Sequence, residues 1–470
     1  MKQTYTNIDY EALLSPTGDP FIDSGGYALK ALSSYNPELD LLELIMLATK
    51  IYVDNWGAKI NPFFLNSKIT QPAFNAEKKK QETKNYFLGL LKETLPYSIG
   101  FCRVTGQKTK LYPAGRDNSV LSGSGTFVNF HHSFDTGIMF SKEALIKYHF
   151  LPLASELLQG RISVINSNNQ AISELYAKDC CDRILYDIGQ NISQGLLKNE
   201  ARSPGTAIFR FLDKVSIQYA NCDTLKNYIT LYHFTNFGAS PEVQIYTLPF
   251  QAFNFYKETR KAQYKANWNV FINHHYRCSD YKKALYDNNL NCFIALDKKQ
   301  EIHIQEDDFK LWRNAIYDKL LAKKSIISDI RKWSIANLFD LELLKCYLIN
   351  IREMKKETVN KINQIADFIL SYNSNIEMKK VLTQLNGVKN AYLLRRFILK
   401  VAEENYRQEN EMPLITVEDY VDYLFPDSNS WMETRDVLLI SIYQKLHERH
   451  RAVEIDDKTD NESEFGDDEN

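Results

Sequence analysis

Asp307-Asp308-Phe309-Lys310-Leu311-Trp312-Arg313-Asn314-Ala315-Ile316-Tyr317-Asp318-Lys319-Leu320 is where the pattern of the chain changes. Phe309, Trp312, Ile316 and Leu320 recur at the spacing of one helical face. The strand-like runs that precede it stop at Ile304. Downstream the same periodicity repeats in Leu338, Leu341, Leu344 and Leu348, and in Val359, Ile362, Ile365 (or Ala366) and Ile369. A fourth stripe holds Val381, Leu385, Val388 and Tyr392, with Gly387 as a weak point. Ser430-Trp431-Met432-Glu433 fits a capping box ahead of a last helix through Leu438, Ile442 and Leu446. Several amphipathic helices on short connections describe a bundle over 307–455.

Upstream the signals are mixed. Between Ala207 and Phe255 lie Ile208-Phe209-Arg210-Phe211, Ser216-Ile217-Gln218-Tyr219 and Val243-Gln244-Ile245-Tyr246-Thr247-Leu248, which read as strands. They make 201–306 a strand-rich middle region. Residues 1–200 read as an α+β domain. Asp40 to Tyr52 and Lys78 to Thr94 are expected helices. The stretch 155–200 also reads as helical, after a break at Asn166-Ser167-Asn168-Asn169. Asp23 or Ser24 is expected to cap a helix beginning near Gly26. The expected class is therefore α+β, a mixed N-terminal region followed by an all-helical C-terminal bundle.

With 470 residues the chain has room for two or three cores. No apolar run reaches the length of a membrane span, and Met1-Lys2-Gln3-Thr4-Tyr5-Thr6 has no apolar signal core. Seven scattered cysteines argue against a disulfide framework, and a reducing cytoplasmic setting is expected. The net charge of −2 conceals an asymmetry: residues 456–470 carry eight carboxylates and one lysine. The rest holds 56 basic against 51 acidic side chains, an excess of about +5. The acidic tail is expected to be disordered, and the mildly positive body permits nucleic-acid binding without demanding it.

Three places carry candidate binding residues. The first is a basic hairpin-like piece with Lys108 and Lys110, running into Ala114-Gly115-Arg116-Asp117-Asn118-Ser119-Val120-Leu121-Ser122-Gly123-Ser124-Gly125 and then Asn129. Its glycines permit close backbone approach. Arg116, Asn118, Ser119, Ser122 and Ser124 bring donors. The same composition also fits a surface connection. The second is Phe250 to Trp268, read as one helix, where Lys257, Lys261 and Lys265 share a face with Arg260 nearby. The third is Lys389, Arg396 and Lys400, at offsets of 7 and 4, with Tyr392 between them. A solvated helix face reads the same way at both lysine stripes.

Catalytic signatures are missing. There is no Walker loop, G-x-S-x-G elbow or H-E-x-x-H. His131-His132, His274-His275 and Cys180-Cys181 are adjacent pairs, whose members point apart in a strand. Cys102 has Thr105, not a second cysteine, at metal-ligand spacing. A binding protein without cofactor or metal is favoured. The alternatives are an enzyme with a site near His131, His132 and Asp135, or a protein-only scaffold.

Thr17-Gly18-Asp19-Pro20-Phe21-Ile22-Asp23-Ser24-Gly25 resembles the D-P-F-x-D-x-G signature of large subunits in type I-B and related CRISPR interference complexes. Cys102-Arg103-Val104-Thr105-Gly106, then a Gly/Ser loop and Leu151-Pro152-Leu153, is similar to their next block, which carries C-x-x-C-G and a second cysteine pair just before the P-L. An all-helical last third completes the likeness. Only Cys102 of the four cysteines is present, and Phe140 to Ala144 holds none. The resemblance implies no zinc here. It implies a subunit that meets the crRNA 5′ end and the Cascade backbone, 5′-end and small subunits. That subunit reads the protospacer-adjacent motif (PAM) on duplex DNA and holds the displaced strand. A nuclease-helicase acting in trans would cut. Base pairing with the guide would supply most of the sequence specificity.

Overall fold

The computed structural model describes residues 1–65, 67–122, 138–218, 226–236, 242–298, 300–408, 412–427 and 430–451. The acidic tail and Gly123 to Gly125, Asn129, His131, His132 and Asp135 lie outside these residues. The chain divides into two compact units. The first comprises 1–253, 277–284 and 292–321; the second comprises 254–276, 285–291 and 322–470. The border expected at 307 thus falls inside the first unit, and the middle region is shared between the two. The reason is packing. Thr206 donates to the Trp312 carbonyl at 2.7 Å, and Phe209 stacks on Tyr317 with centroids 4.1 Å apart. Phe309, Trp312, Ile316 and Leu320 are all buried, as their spacing predicts.

The first unit begins with α1 (Tyr10–Leu14) and α2 (Pro20–Tyr35). Helix α2 starts six residues before the position read from sequence. Asp19 caps it by accepting from Phe21 and Ile22, and Pro20 opens its first turn, where a missing N–H costs nothing. Asp23 lies inside the helix instead. Its carboxylate accepts from the Thr17 N–H and hydroxyl and from the Gly18 N–H. The Asp-Pro-Phe signature is therefore a helix start bound to its own leading turn. α3 (Leu41–Lys50) carries a capping box from Asp40 and Glu43, and α4 (Ala76–Leu91) is capped by Asn75. Both agree with the sequence.

β1 (Ser98–Phe101), β2 (Lys108–Ala114) and β3 (Ile138–Phe140) form an antiparallel sheet in that order. Leu111 faces Ser98 and Tyr112 faces Phe140. Ser141 caps α5 (Lys142–His149). Gly25 of α2 lies against the α5 backbone, where a Cβ would stand 2.1 Å from the Lys147 carbonyl oxygen. Only glycine lets the two helices meet this closely.

A five-stranded sheet follows, built from β4 (Glu156–Leu158), β5 (Arg161–Ser167), β6 (Leu197–Asn199), β7 (Ile229–Thr235) and β8 (Glu242–Leu248). The order is β6-β4-β5-β7-β8; only the β4–β6 pair is parallel. α6 (Gln170–Gly189) and α7 (Pro204–Gln218) sit between strands in sequence. The helical reading of 155–200 thus holds only over α6. Residues 161–167 are a strand buried on both faces, whose apolar run carries no period. Residues 204–218 correct the opposite way, because they form a helix. Ile208, Phe211, Leu212 and Val215 are buried at i, i+3, i+4 and i+7. Pro204 opens the helix and Ser203 accepts from Thr206 N–H. The β-branched and aromatic content of that stretch reflects its place in the core rather than its backbone. Cys292–Asp297 and Gln300–Ile304 pair antiparallel in the same unit. Short helices α10 (Glu306–Phe309) and α11 (Ala315–Leu321) complete it; of the helices between, α8 (Phe250–Thr259) begins in this unit and continues into the second, and α9 (Ala262–Asn273) lies wholly in the second.

In the second unit α12 (Ile327–Ser334), α13 (Leu341–Asn350), α14 (Lys356–Tyr372), α15 (Asn375–Asn386), α16 (Ala391–Arg407) and α17 (Trp431–Glu448) make the expected bundle. α17 is its core. Val437 to Ser441 are consecutively buried, so the helix is covered on all sides by α12, α14, α15 and α16. α9 belongs here too, with Trp268 edge-on to Phe255 and Phe271 edge-on to Phe339. Val359, Ile362, Ile365, Ala366 and Ile369 are buried as read. Two other stripes need correction. Leu338 precedes α13 and is half exposed. Gly387 caps the end of α15, so Tyr392 begins a new helix and points to solvent. The box at Ser430 does not form either. Its side chain makes no cap bond, its N–H donates to Asp427, and Glu433 pairs with Arg352 at 2.6 Å. No helix among the described residues is long and apolar enough to cross a membrane.

Candidate nucleic-acid interface

The loop after β2 is not pliant. The Asn118 N–H donates to the Gly115 carbonyl, and the Asn118 side-chain oxygen accepts from the Gly115 N–H, both at 3.0 Å. The amide group of Asn118 donates to the Tyr86 hydroxyl at 3.1 Å. The turn is then anchored at two further points, one of them on a residue that is itself held. Val120 N–H donates to Tyr148, Leu121 N–H donates to Asn236, and Asn236 donates to the Pro62 carbonyl. Ser119 and Ser122 are buried, and the Ser122 hydroxyl donates to the Ser119 carbonyl. The left-handed backbone in this segment belongs to Leu121, not to Gly115. Ser119 and Ser122 therefore do not reach outward as the composition suggested, and Asn118 is largely spent on closing the turn. Short hydroxyls serve a packed turn as readily as a ligand. Arg116 is part-exposed and has no ion-pair partner among the described residues. Ser124 and Asn129 lie outside the described residues.

The hairpin lysines differ from one another. Lys108 is exposed. Lys110 is paired with Glu93, which also holds Lys142, and its ammonium lies 4.8 Å from the Tyr97 ring centre. These two lysines hold the Glu93 carboxyl below its ordinary value.

Cys102 closes the turn between β1 and β2. Gly106 there has φ of +68°, which suits glycine, and its N–H donates to the Cys102 carbonyl at 2.9 Å. The Ser141 N–H donates to the Cys102 sulfur at 3.4 Å. Burial pushes the Cys102 thiol up, but the N–H groups of Thr105, Ser141 and Val104 outweigh it and hold it below the ordinary value. A single thiol beside hydroxyl-bearing Thr105 and Ser141 does not make a zinc donor set. No cluster of three or more metal-ligating side chains occurs among the described residues.

The helix expected from Phe250 to Trp268 is two helices. Lys261 has an extended backbone (ψ 144°) and stands at the N-cap of α9. Lys257 is on α8 and Lys265 on α9, so the three lysines do not share a continuous face. Lys261 pairs with Glu258 at 2.7 Å, and Arg260 donates to Asn269 at 2.9 Å. These basic groups serve the junction between the helices.

The third stripe is different. Arg396 and Lys400 lie one turn apart on α16, and Lys389 just precedes its cap residue Asn390. All three are exposed, and none has a carboxylate partner among the described residues. The carboxylates of the next turn, Glu403 and Glu404, are both within 4.0 Å of Arg407. Tyr392 is 65% exposed with the Arg396 guanidinium 5.7 Å from its ring centre. Leu399 and Tyr406, at successive steps of seven, continue the exposed face. Residues 342–470 match the family described as DevT C-terminal domain. This DevT-like segment covers about a quarter of the chain and contains α16 with its stripe. A comparison with curated proteins returns no match.

Tyr406 was missed from sequence, although its offset of fourteen from Tyr392 was readable.

Proposed function

We propose that the chain is the large subunit of a crRNA-guided type I CRISPR effector complex of the I-B kind. In this reading it contacts crRNA and the Cascade backbone, 5′-end and small subunits. It recognises the PAM in duplex DNA, supports R-loop formation, and leaves cutting to a nuclease-helicase in trans. It acts in the cytoplasm and is not itself an enzyme. The observation that carries the reading is the Ser141–Cys102 contact. The two blocks that hold a shared metal in the family, 102–106 and 140–144, stand within 3.4 Å of each other here, without the other cysteines. The N-terminal signature supports it by forming a capped helix start, with Gly25 needed for packing.

Within this reading Arg116 binds phosphate beside the PAM, and the α16 stripe holds displaced single strand by phosphate contacts and stacking on Tyr392. The test is to purify the tagged full chain from its own cell under native conditions and sequence the RNA that comes with it. Repeat-derived crRNA together with backbone subunits is expected. A chain that comes down with neither would overturn the proposal.

A further inference from the structure

Lys389, Arg396 and Lys400 stand on the second unit without a carboxylate partner among the described residues, and the same unit continues into a run of carboxylates. The place where that run begins is fixed. The Arg451 guanidinium, just past α17, donates to the Leu370 carbonyl at 3.1 Å and to the Asn373 carbonyl at 2.9 Å, so the chain passes beyond 451 at the C-terminal end of α14. α16 passes the same end. Burial pushes the Tyr372 hydroxyl up, and the Glu404 carboxylate of α16 adds to it. From Glu404 the helix leads back through Lys400 and Arg396 to Lys389, which is about 23 Å away at 1.5 Å per residue.

Residues 456–470 hold eight carboxylates, one lysine and a single ring, Phe465. Their order mirrors the stripe. Glu462 and Glu464 precede Phe465, and Asp467, Asp468 and Glu469 follow it. Lys389 precedes Tyr392, and Arg396 and Lys400 follow it. Lys389 and Lys400 are about 16 Å apart along the helix axis. Glu462 to Asp467 covers the same length when extended, at about 3.3 Å per residue. Between Arg451 and Glu462 the chain can span about 36 Å, enough to reach the far end of the stripe. Lys389 also lies at the N-terminal end of α16, where the helix dipole favours carboxylates. Glu403 and Glu404, the helix's own acids in the next turn, are both near Arg407.

We propose that the acidic stretch 456–469 docks on the α16 stripe of its own chain, with its carboxylates on Lys389, Arg396 and Lys400 and Phe465 against the exposed Tyr392 ring. Each of these pairings is exposed and weak alone. The tether offsets that weakness, since a flexible connection of this length holds its ligand at an effective concentration on the order of 1 mM. A polyanion arriving from solution has to displace the stretch before it reaches the stripe, and salt loosens both. The stripe is thereby closed to weak, passing polyanions and open to one delivered at high local concentration. The docking stands on the free cations and the reach of the chain, and it does not require that the natural competitor be a displaced DNA strand.

The test keeps the full chain. A carbodiimide joins carboxylates to the lysine amines they touch, and mass spectrometry of the monomer band locates the joined peptides. Lys389 and Lys400 should be joined to residues 456–469 at low salt and not at high salt. Joining to other lysines alone, or joining found only between two chains, overturns the proposal. A full-length variant with the eight carboxylates exchanged for Asn or Gln supplies the second reading. It should bind fluorescent oligo-dT roughly three- to tenfold more tightly than the parent at low salt and equally at high salt. The gain should vanish when Lys389, Arg396 and Lys400 are also alanine. A gain of the same size in that background overturns the proposal, because it reports net charge alone. So does the lack of any gain where oligo-dT binding depends on the stripe. Should oligo-dT bind none of these proteins, or ignore the stripe, the single-strand reading falls and the cross-link decides: its presence upholds the docking and its absence overturns it.

Discussion

The turn Ala114–Ser122 of the first unit and the α16 stripe are alike as candidates and opposite in structure. The turn is rich in groups that bond nucleic acid, yet it spends them internally. Asn118, Ser119 and Ser122 close and bury it. The stripe has three cations and one ring, and among the described residues it spends none of them on carboxylates. Donor-rich composition therefore reports the ability to hydrogen-bond, not the direction of the bond. Helical spacing reports direction, and on α16 it was right for Arg396 and Lys400.

The largest expected effect concerns what the turn rests on. His149 has its folded pKa lowered, so its stabilising contribution is present above its ordinary value of about 6.5 and is lost as pH falls toward 3. Between pH 6.5 and 4.5 the first unit should lose about 2 kcal/mol through this ring alone. His149→Phe should remove that part of the acid sensitivity, because the site is aromatic and Thr49 keeps its bond to the Ile45 carbonyl. Denaturant midpoints at both pH values measure it. Equal acid losses in the two proteins would refute the assignment.

Asn118→Ala comes next. It leaves the Gly115 N–H and the Tyr86 hydroxyl without their partner and should cost about 1–3 kcal/mol of stability. If it instead weakens binding to one PAM and leaves the thermal midpoint alone, the turn reads bases after all and the contrast breaks.

Lys389→Ala with Arg396→Ala and Lys400→Ala should leave stability unchanged. It should flatten the salt dependence of single-strand binding by roughly two units, at about 0.7 per phosphate contact. An unaltered slope would mean the stripe is only a solvated face. Arg116→Ala is the mildest. It should reduce duplex affinity by well under tenfold and equally for all sequences, with the slope lower by about one. A sequence-dependent loss would move Arg116 from phosphate to a guanine edge.

How much of this was readable depends on the periods. α14 was legible residue by residue because Val359, Ile362, Ile365 and Ile369 alternate with polar positions. β5 was not, since a doubly buried strand has no alternation, and α7 was taken for strand because core residues are β-branched and aromatic in either state. At the candidate sites, the lysines of 257–265 misled because a single break at Lys261 undoes every offset across it. The stripe at Arg396 was legible because no such break lies between it and Lys400. The cavity beneath the turn had no signal at all, for its wall comes from Phe64, Phe87 and His149, far apart in sequence.

The seat of Gly25 on the Lys147 backbone also sets an order for the chain as it leaves the ribosome. Helix α2 carries everything needed to start locally, in Asp19, Pro20 and the leading turn. Its packing partner, however, is made more than a hundred residues later, and Phe21 waits longer still for Tyr232 and Phe234. The nascent N-terminus must hold an apolar helix without its cover while those segments are synthesised. At ~5–20 residues per second that interval lasts on the order of ten seconds or more, a window in which a chaperone or a partner subunit can reach it first.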